Sequence, residues 1–337
     1  KFERERSAKE RATALEPLSR LFSADVAVKG FFVISGYLVM MSYENSASLR
    51  DYGAKRVRRI YPAYAAVVLA CALAGAFLTA LPAAGYFSSM DFAKYVAANL
   101  AFLNFLAPTL PGVFAGQPYE EVNGALWTLK IEVMYYLFVP VLAWLLARFG
   151  RWRALGALYL LSVAYSVAAG HMHVRTGDPF WLQLQRQLPG QLVYFLVGIG
   201  FYLLRDRVTG RWLTLLAAAA AMFVLVAISQ SPPLAMLVEP LALGICVIYA
   251  AVALPHLGNV ARFGDLSYGV YILHFPTIQV LVAAGLFASA PWASFAAAAA
   301  LVLLMAFLSW HLVEKPFLTS RSHYRRAAAR VTGAKGI

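Results

Sequence analysis

Long apolar runs separated by short polar breaks dominate this chain, so run length decides which elements to expect. A helix needs about 17 to 25 apolar residues to cross the hydrocarbon core of a bilayer. Runs of that kind fall at 25–43, 61–80, 124–147, 153–169, 190–205, 213–229, 235–253, 268–289 and 292–313, which predicts nine transmembrane helices. Val96 to Ala107 is apolar but too short to span, and reads as an interfacial or re-entrant helix inside the loop 81–123. No internal repeat, low-complexity linker or soluble domain interrupts the pattern.

Composition agrees with a bilayer as solvent. The 337 residues are 61% hydrophobic and 13% charged, with a mean hydropathy of +0.66, too little polar surface to cover a water-soluble globule. A net charge of +13 suits a nucleic-acid binder, but here the basic residues lie in short clusters between apolar runs. That is the positive-inside pattern, and it excludes nucleic acid as a partner. Lys55, Arg56, Arg58 and Arg59 follow the first run, Arg148, Arg151 and Arg153 the third, Arg205, Arg207 and Arg211 the fifth, and Arg262 the seventh. The basic tail 319–337 falls on the same side, which predicts a cytoplasmic C-terminus, with the loops 81–123 and 170–189 facing outward.

Residues 1–23 fit this topology poorly. A first run that leaves on the cytoplasmic side should be preceded by an outer segment, yet Lys1 to Arg11 is densely charged and reads as a cytoplasmic leader or a solvent-exposed helix. A further transmembrane helix, missing between that leader and the domain at 24–318, is therefore expected. Cys71 and Cys246 lie inside apolar runs without metal or redox spacing. His171 and His173 form a pair in an outer loop with no third ligand nearby, and no metal is assigned.

Four stretches carry the candidate chemistry. In GALWTLKIEVMYYLFVP, Glu132 sits about two turns inside an apolar helix, where an ion costs several kcal/mol unless paired or wet. It is either functional or one half of a structural ion pair. Lys130 points about 200° away and is a poor partner. Tyr135 and Tyr136 share roughly the face of Glu132, and Trp127 suits either a sugar stack or the interfacial belt. In DVAVKGFFVISGYLVMMSY, Gly30, Ser35 and Gly36, followed by Tyr37, allow close approach of a ligand or of another helix. In YGAKRVRRIYPAY, Arg56, Arg58 and Arg59 are guanidinium forks suited to phosphate, or a plain positive-inside cluster. In DLSYGVYILHFP, Ser267, Tyr268, Tyr271 and His274 recur at helical spacing and can line one pocket. His274 reads as either a hydrogen-bonded structural residue or a catalyst. Near the end, WHLVEKPF places Pro316 to halt a helix and Glu314 to pair with Lys315 or a neighbouring loop.

These stretches, in this order, resemble the membrane acyltransferase-3 family. Its patterns are F-F-x-x-S-G-[YF]-L, a basic segment ending Arg-Ile-Tyr-Pro (Arg59 to Pro62), L-W-[ST]-L-x-x-E-x-x-[FY]-Y and S-Y-x-x-Y-[LI]-x-H-x-P. WHLVEKPF is similar in part to a fifth. The resemblance implies an all-α polytopic bundle of about ten transmembrane helices in a bacterial cytoplasmic membrane. It implies transfer of an acyl group, most often acetyl, from acyl-CoA to a glycan or lipid-linked sugar, without a metal. Glu132 is then a catalytic residue with His274 as a second candidate. Arg56, Arg58 and Arg59 would hold the donor, and Ser35, Tyr37, Trp127, Tyr136, Ser267, Tyr268 and Tyr271 would line the substrate pocket. The chain departs from the pattern at the family's first-helix Arg-x10-His motif, whose histidine is taken as the catalytic base, since no histidine precedes His171: either that helix is missing between the leader and Glu16 to Leu21, or this is a truncated or divergent member without that base. A lipid-linked sugar flippase or secondary transporter is the competing class. It predicts inverted repeats and paired broken helices, and the sequence shows neither.

Overall fold

The computed structural model describes residues 23–208, 210–254 and 264–318. The charged leader, the additional helix expected beside it and the basic tail 319–337 lie outside the described residues. Within them the protein is helical, with no strand. In chain order the helices are α1 (Ala24–Glu44), α2 (Leu49–Ala74), α3 (Ala83–Ser88), α4 (Met90–Leu100), α5 (Trp127–Phe149), α6 (Arg151–Thr176), α7 (Phe180–Gln185), α8 (Leu188–Val208), α9 (Trp212–Ser229), α10 (Pro232–Val252), α11 (Ser267–Ala283), α12 (Leu286–Ser289), α13 (Pro291–Ser309) and α14 (Lys315–Phe317). A π-helical turn, Trp310–Glu314, joins the last two.

Eight of the described helices are long and apolar enough to cross a membrane, and α11 is a shorter apolar helix of 17 residues. Four boundaries differ from the hydropathy reading. The span expected at 61–80 begins at Leu49, because the Ser48 hydroxyl accepts the Asp51 N–H and an Asp51–Lys55 pair at 2.7 Å supports the first turns. The basic cluster therefore lies within α2 rather than before it. The span expected at 268–289 stops at Ala283, where Gly285 takes a left-handed φ of 71° and Pro291 starts the next helix. The short helix expected at 96–107 is α4 instead, ended by Phe102 at φ 60°. The loop expected at 170–189 is mostly helix, comprising the end of α6 and all of α7.

The described helices group into two compact units, one of residues 23–46 with 134–254 and the other of residues 47–133 with 264–318. In the first, α1 packs on α8 with almost no side chain between the backbones. A Cβ at Gly36 would lie 2.0 Å from the Phe195 carbonyl oxygen, and one at Gly198 would lie 1.9 Å from that of Val33. Only glycine permits this approach. Tyr135 stacks on Phe195 with centroids 4.2 Å apart and meets Phe32 edge-on at 5.5 Å. Ser162 of α6 ties in α8 twice, donating to the Pro189 carbonyl at 2.6 Å and accepting the Val193 N–H at 3.0 Å. Helix α9 packs on α10 around Ala219, Ala242 and Ile245. Helix α9 is apolar along its length and only 6% of its apolar window is buried among the described residues.

In the second unit, α2 packs on α4 and the loop 101–123. Tyr64 stacks on Phe102 at 4.2 Å and donates to the Asn99 carbonyl at 2.6 Å. Tyr86 donates to the Ala72 carbonyl at 2.7 Å, and burial pushes its phenol up to about 12, which keeps it a neutral donor. Helix α11 lies close on α13 because Gly269 faces Ala306, whose Cα would be 2.9 Å from a Cβ at that position.

Candidate active site

The second unit gathers most of the residues picked out by sequence on the facing parts of α2, α5 and α11. A 3-10 turn, Gly124–Leu126, leads into α5 and is capped by Asn123, whose side-chain oxygen accepts the Ala125 N–H at 3.2 Å while its amide donates to the Ile272 carbonyl at 2.9 Å. One asparagine thus caps the entry to α5 and fixes it against α11. One turn later the Thr128 and Tyr271 hydroxyls share a hydrogen bond, and each also lies near the Ala125 carbonyl, at 3.2 and 3.1 Å.

Glu132 follows Thr128 by one turn and is 6% exposed. Its carboxylate interacts electrostatically with both Tyr268 and Tyr271. The pattern S-Y-x-x-Y therefore meets the pattern L-W-[ST]-L-x-x-E, two strings 136 residues apart counted from Glu132 to Tyr268. His274 lies one turn beyond Tyr271, its ring 5.8 Å from the tyrosine ring, and its Nδ1 is 2.7 Å from the Tyr271 carbonyl. A carbonyl can only accept, so Nδ1 carries the proton and Nε2 is the basic nitrogen of the neutral ring. Trp127 is half-buried at the start of α5. Lys130 places its ammonium 4.5 Å from the centre of the Phe105 ring.

At the start of α2 the arginines separate. Arg58 is exposed and Arg56 is buried. Arg59, expected with its neighbours to hold the donor, is 9% exposed and paired twice, through Nη1 to Glu314 at 2.8 Å and through Nη2 to Asp265 at 2.7 Å. Its guanidinium carbon also lies 5.4 Å from the Tyr268 ring centre. Glu314 thus pairs with Arg59, not with Lys315, because the π-turn carries it inward to 2% exposure, where Ser309 donates to its other oxygen at 3.1 Å. Asp265 was missed by the sequence reading. Its Oδ1 accepts the Ser267 hydroxyl at 2.5 Å and the Ser267 N–H at 3.3 Å, so it also holds the first turn of α11. The signal available was an aspartate two residues before a serine at a helix start.

Ser35, Tyr37 and Tyr136 belong to the first unit. Ser35 and Tyr136 are buried, and Tyr37 meets the Tyr202 ring edge-on at 5.4 Å while Tyr202 donates to Glu44 at 2.7 Å. That unit also holds a charged cluster that hydropathy concealed. Lys29 lies 2.7 Å from Asp25 and 3.1 Å from Glu239, with its ammonium 5.5 Å from the Tyr194 ring centre.

Comparison with known proteins places this geometry in context. The family described as an acyltransferase domain matches residues 9–313. Nodulation protein 10 of Rhizobium leguminosarum bv. viciae is 29% identical over 90% of this chain and 84% of its own. The O-acetyl transferase of Shigella phage Sf6 is 29% identical over 88% of this chain and 86% of its own. The exopolysaccharide production protein ExoZ of Rhizobium meliloti is 29% identical over 90% and 92%. No solved structure matches the chain. With a match across nearly its whole length, this chain belongs to the membrane acyltransferase-3 family.

Proposed function

We propose that this membrane acyltransferase moves an acetyl group from cytoplasmic acetyl-CoA to a hydroxyl of an extracytoplasmic or lipid-linked glycan, in a bacterial cytoplasmic membrane with the C-terminus inside. The relatives named for O-acetyl transfer and exopolysaccharide production support an acyl donor and a sugar acceptor. The observation that carries the assignment of chemistry is Glu132, a carboxylate 6% exposed inside an apolar helix whose preceding turn is hydrogen-bonded to Tyr271 of α11. A buried carboxylate in that setting is suited to accept a hydrogen bond from an acceptor hydroxyl and increase its nucleophilicity.

A thioester is activated enough for direct attack. The hydroxyl oxygen bonds to the acyl carbon, the carbon–sulfur bond breaks, the hydroxyl proton passes to a base and the thiolate of coenzyme A leaves. We assign to Glu132 the hydrogen bond that orients the hydroxyl. His274 supplies Nε2 as a second basic atom one turn beyond Tyr271. Arg58, exposed on the first turns of α2, with Arg56 one turn before Arg59, faces the donor's phosphates, for which a guanidinium fork is matched in shape and charge.

The test uses Glu132→Gln, which keeps shape and most hydrogen bonding but removes the charge. Acetyl-CoA affinity should stay within a few fold of wild type while transfer to the glycan falls by at least a hundredfold. Retained transfer in that variant refutes the role of Glu132. Thermal stabilisation of the wild type by sugars or ions but not by acetyl-CoA would instead support transport.

A further inference from the structure

The basic cluster of α2 is a string of four cations in five residues, Lys55 to Arg59, yet its members have different surroundings. Arg58 is exposed. Lys55 is half-buried and paired with Asp51 at 2.7 Å. Arg59 is turned into the second unit, where two carboxylates from distant parts of the chain take one terminal nitrogen each. An arginine fork engaged this way has both terminal nitrogens directed at carboxylates, so a phosphate approaching it must compete with two ion pairs already formed.

Each partner of Arg59 has a second engagement. Asp265 caps Ser267, Glu314 takes the Ser309 hydroxyl within the π-turn, and Tyr268, below the guanidinium, donates to the Ile60 carbonyl of α2 at 3.1 Å. The pairing therefore fixes three things at once: the rotation of α2, the start of α11 and the π-turn after α13. Everything on α11 counts its position from that start. Tyr268, Tyr271 and His274 are one, four and seven residues beyond Ser267, so a displacement at the cap is carried along the helix to each of them.

We propose that Arg59 is a positioning residue rather than a ligand of the donor's phosphates: held between Asp265 and Glu314, it sets where Tyr268, Tyr271 and His274 stand relative to Glu132. The inference rests on the acyl-CoA donor assigned above and alters which arginine of α2 meets it. Removal of Arg59 alone would strand a carboxylate that is 2% exposed, a strongly destabilising change, so a single alanine variant cannot distinguish the two roles.

Two variants do distinguish them, each tested in the full-length membrane protein for acetyl-CoA affinity and for acyl transfer. Glu314→Gln releases part of the Arg59 charge. A positioning role leaves acetyl-CoA affinity within threefold and lowers the turnover number at least tenfold, with little change in donor KM. The triple variant Arg59→Met, Glu314→Gln, Asp265→Asn removes the charges together, and in it acetyl-CoA affinity should again lie within threefold of wild type. Tighter donor binding by Glu314→Gln, or a folded triple variant that binds the donor ten- to a hundredfold more weakly, would show that Arg59 contacts phosphate and overturn the inference. Unchanged turnover in Glu314→Gln would overturn it as well. A wild-type protein that binds no acetyl-CoA is a separate result, which removes the donor assignment itself.

Discussion

Substitution of Gly36 by alanine tests whether the F-F-x-x-S-G-Y-L motif serves packing, since the motif supplies the closest backbone approach in the first unit. The added Cβ would stand 2.0 Å from the Phe195 carbonyl oxygen, 2.9 Å from its carbon and 3.2 Å from its Cα. All three obstacles are backbone atoms, so no rotamer change relieves them. Ordinary contact begins at 3.4 Å, which requires α1 and α8 to separate by about 1.4 Å along that direction. Overpacking of this kind costs about 1–3 kcal/mol. Alanine returns about 1 kcal/mol through its higher helix propensity, which offsets only part of that cost. Gly200 provides the control, because it lies on the same α8 with nothing within 4 Å of a Cβ. Heating of detergent-solubilised protein, read as the fraction remaining monodisperse, should therefore show Gly36→Ala melting several degrees lower and Gly200→Ala unchanged or slightly higher. Gly198→Ala should resemble Gly36→Ala, and the double variant should cost less than the two combined, since one displacement serves both. Equal melting of Gly36→Ala and Gly200→Ala would refute the reasoning.

Other expectations are more direct. Asn123→Ala removes the start of α5 and strands the Ile272 carbonyl, so the melting temperature should drop by the equivalent of about 1–3 kcal/mol, against almost none for an exposed alanine substitution. Lys29→Met leaves Glu239 without its cation, and because that carboxylate is 34% exposed the loss should be about 1–2 kcal/mol, recovered by adding Glu239→Gln. Ser162→Ala should destabilise the α6–α8 contact by about 1–3 kcal/mol, measurable in the same melting assay, because it leaves a carbonyl and an N–H without their shared partner. Asp178→Cys should react with a membrane-impermeant thiol reagent on intact cells while Ser322→Cys is spared, and labelling of both would refute the proposed orientation.

Hydropathy alone located the membrane helices, because the cost of placing a segment in lipid is a sum over its own residues and does not depend on its neighbours. It likewise picked out Glu132, since a lone carboxylate in an apolar helix is anomalous whatever surrounds it. The start of α2 was not legible in the same way: arginines and lysine lower the hydropathy of a segment without preventing a helix, and a serine cap decides the boundary. Nor was the early stop of α11, which depends on one left-handed glycine inside a continuous apolar run. Most of all, the sequence placed Arg59 in a cluster of like charges, whereas its partners stand 206 and 255 residues away. Electrostatic roles are fixed by distance in space, and only the packing of α2, α11 and the π-turn determines which of four neighbouring cations is neutralised and which, like Arg58, stays exposed.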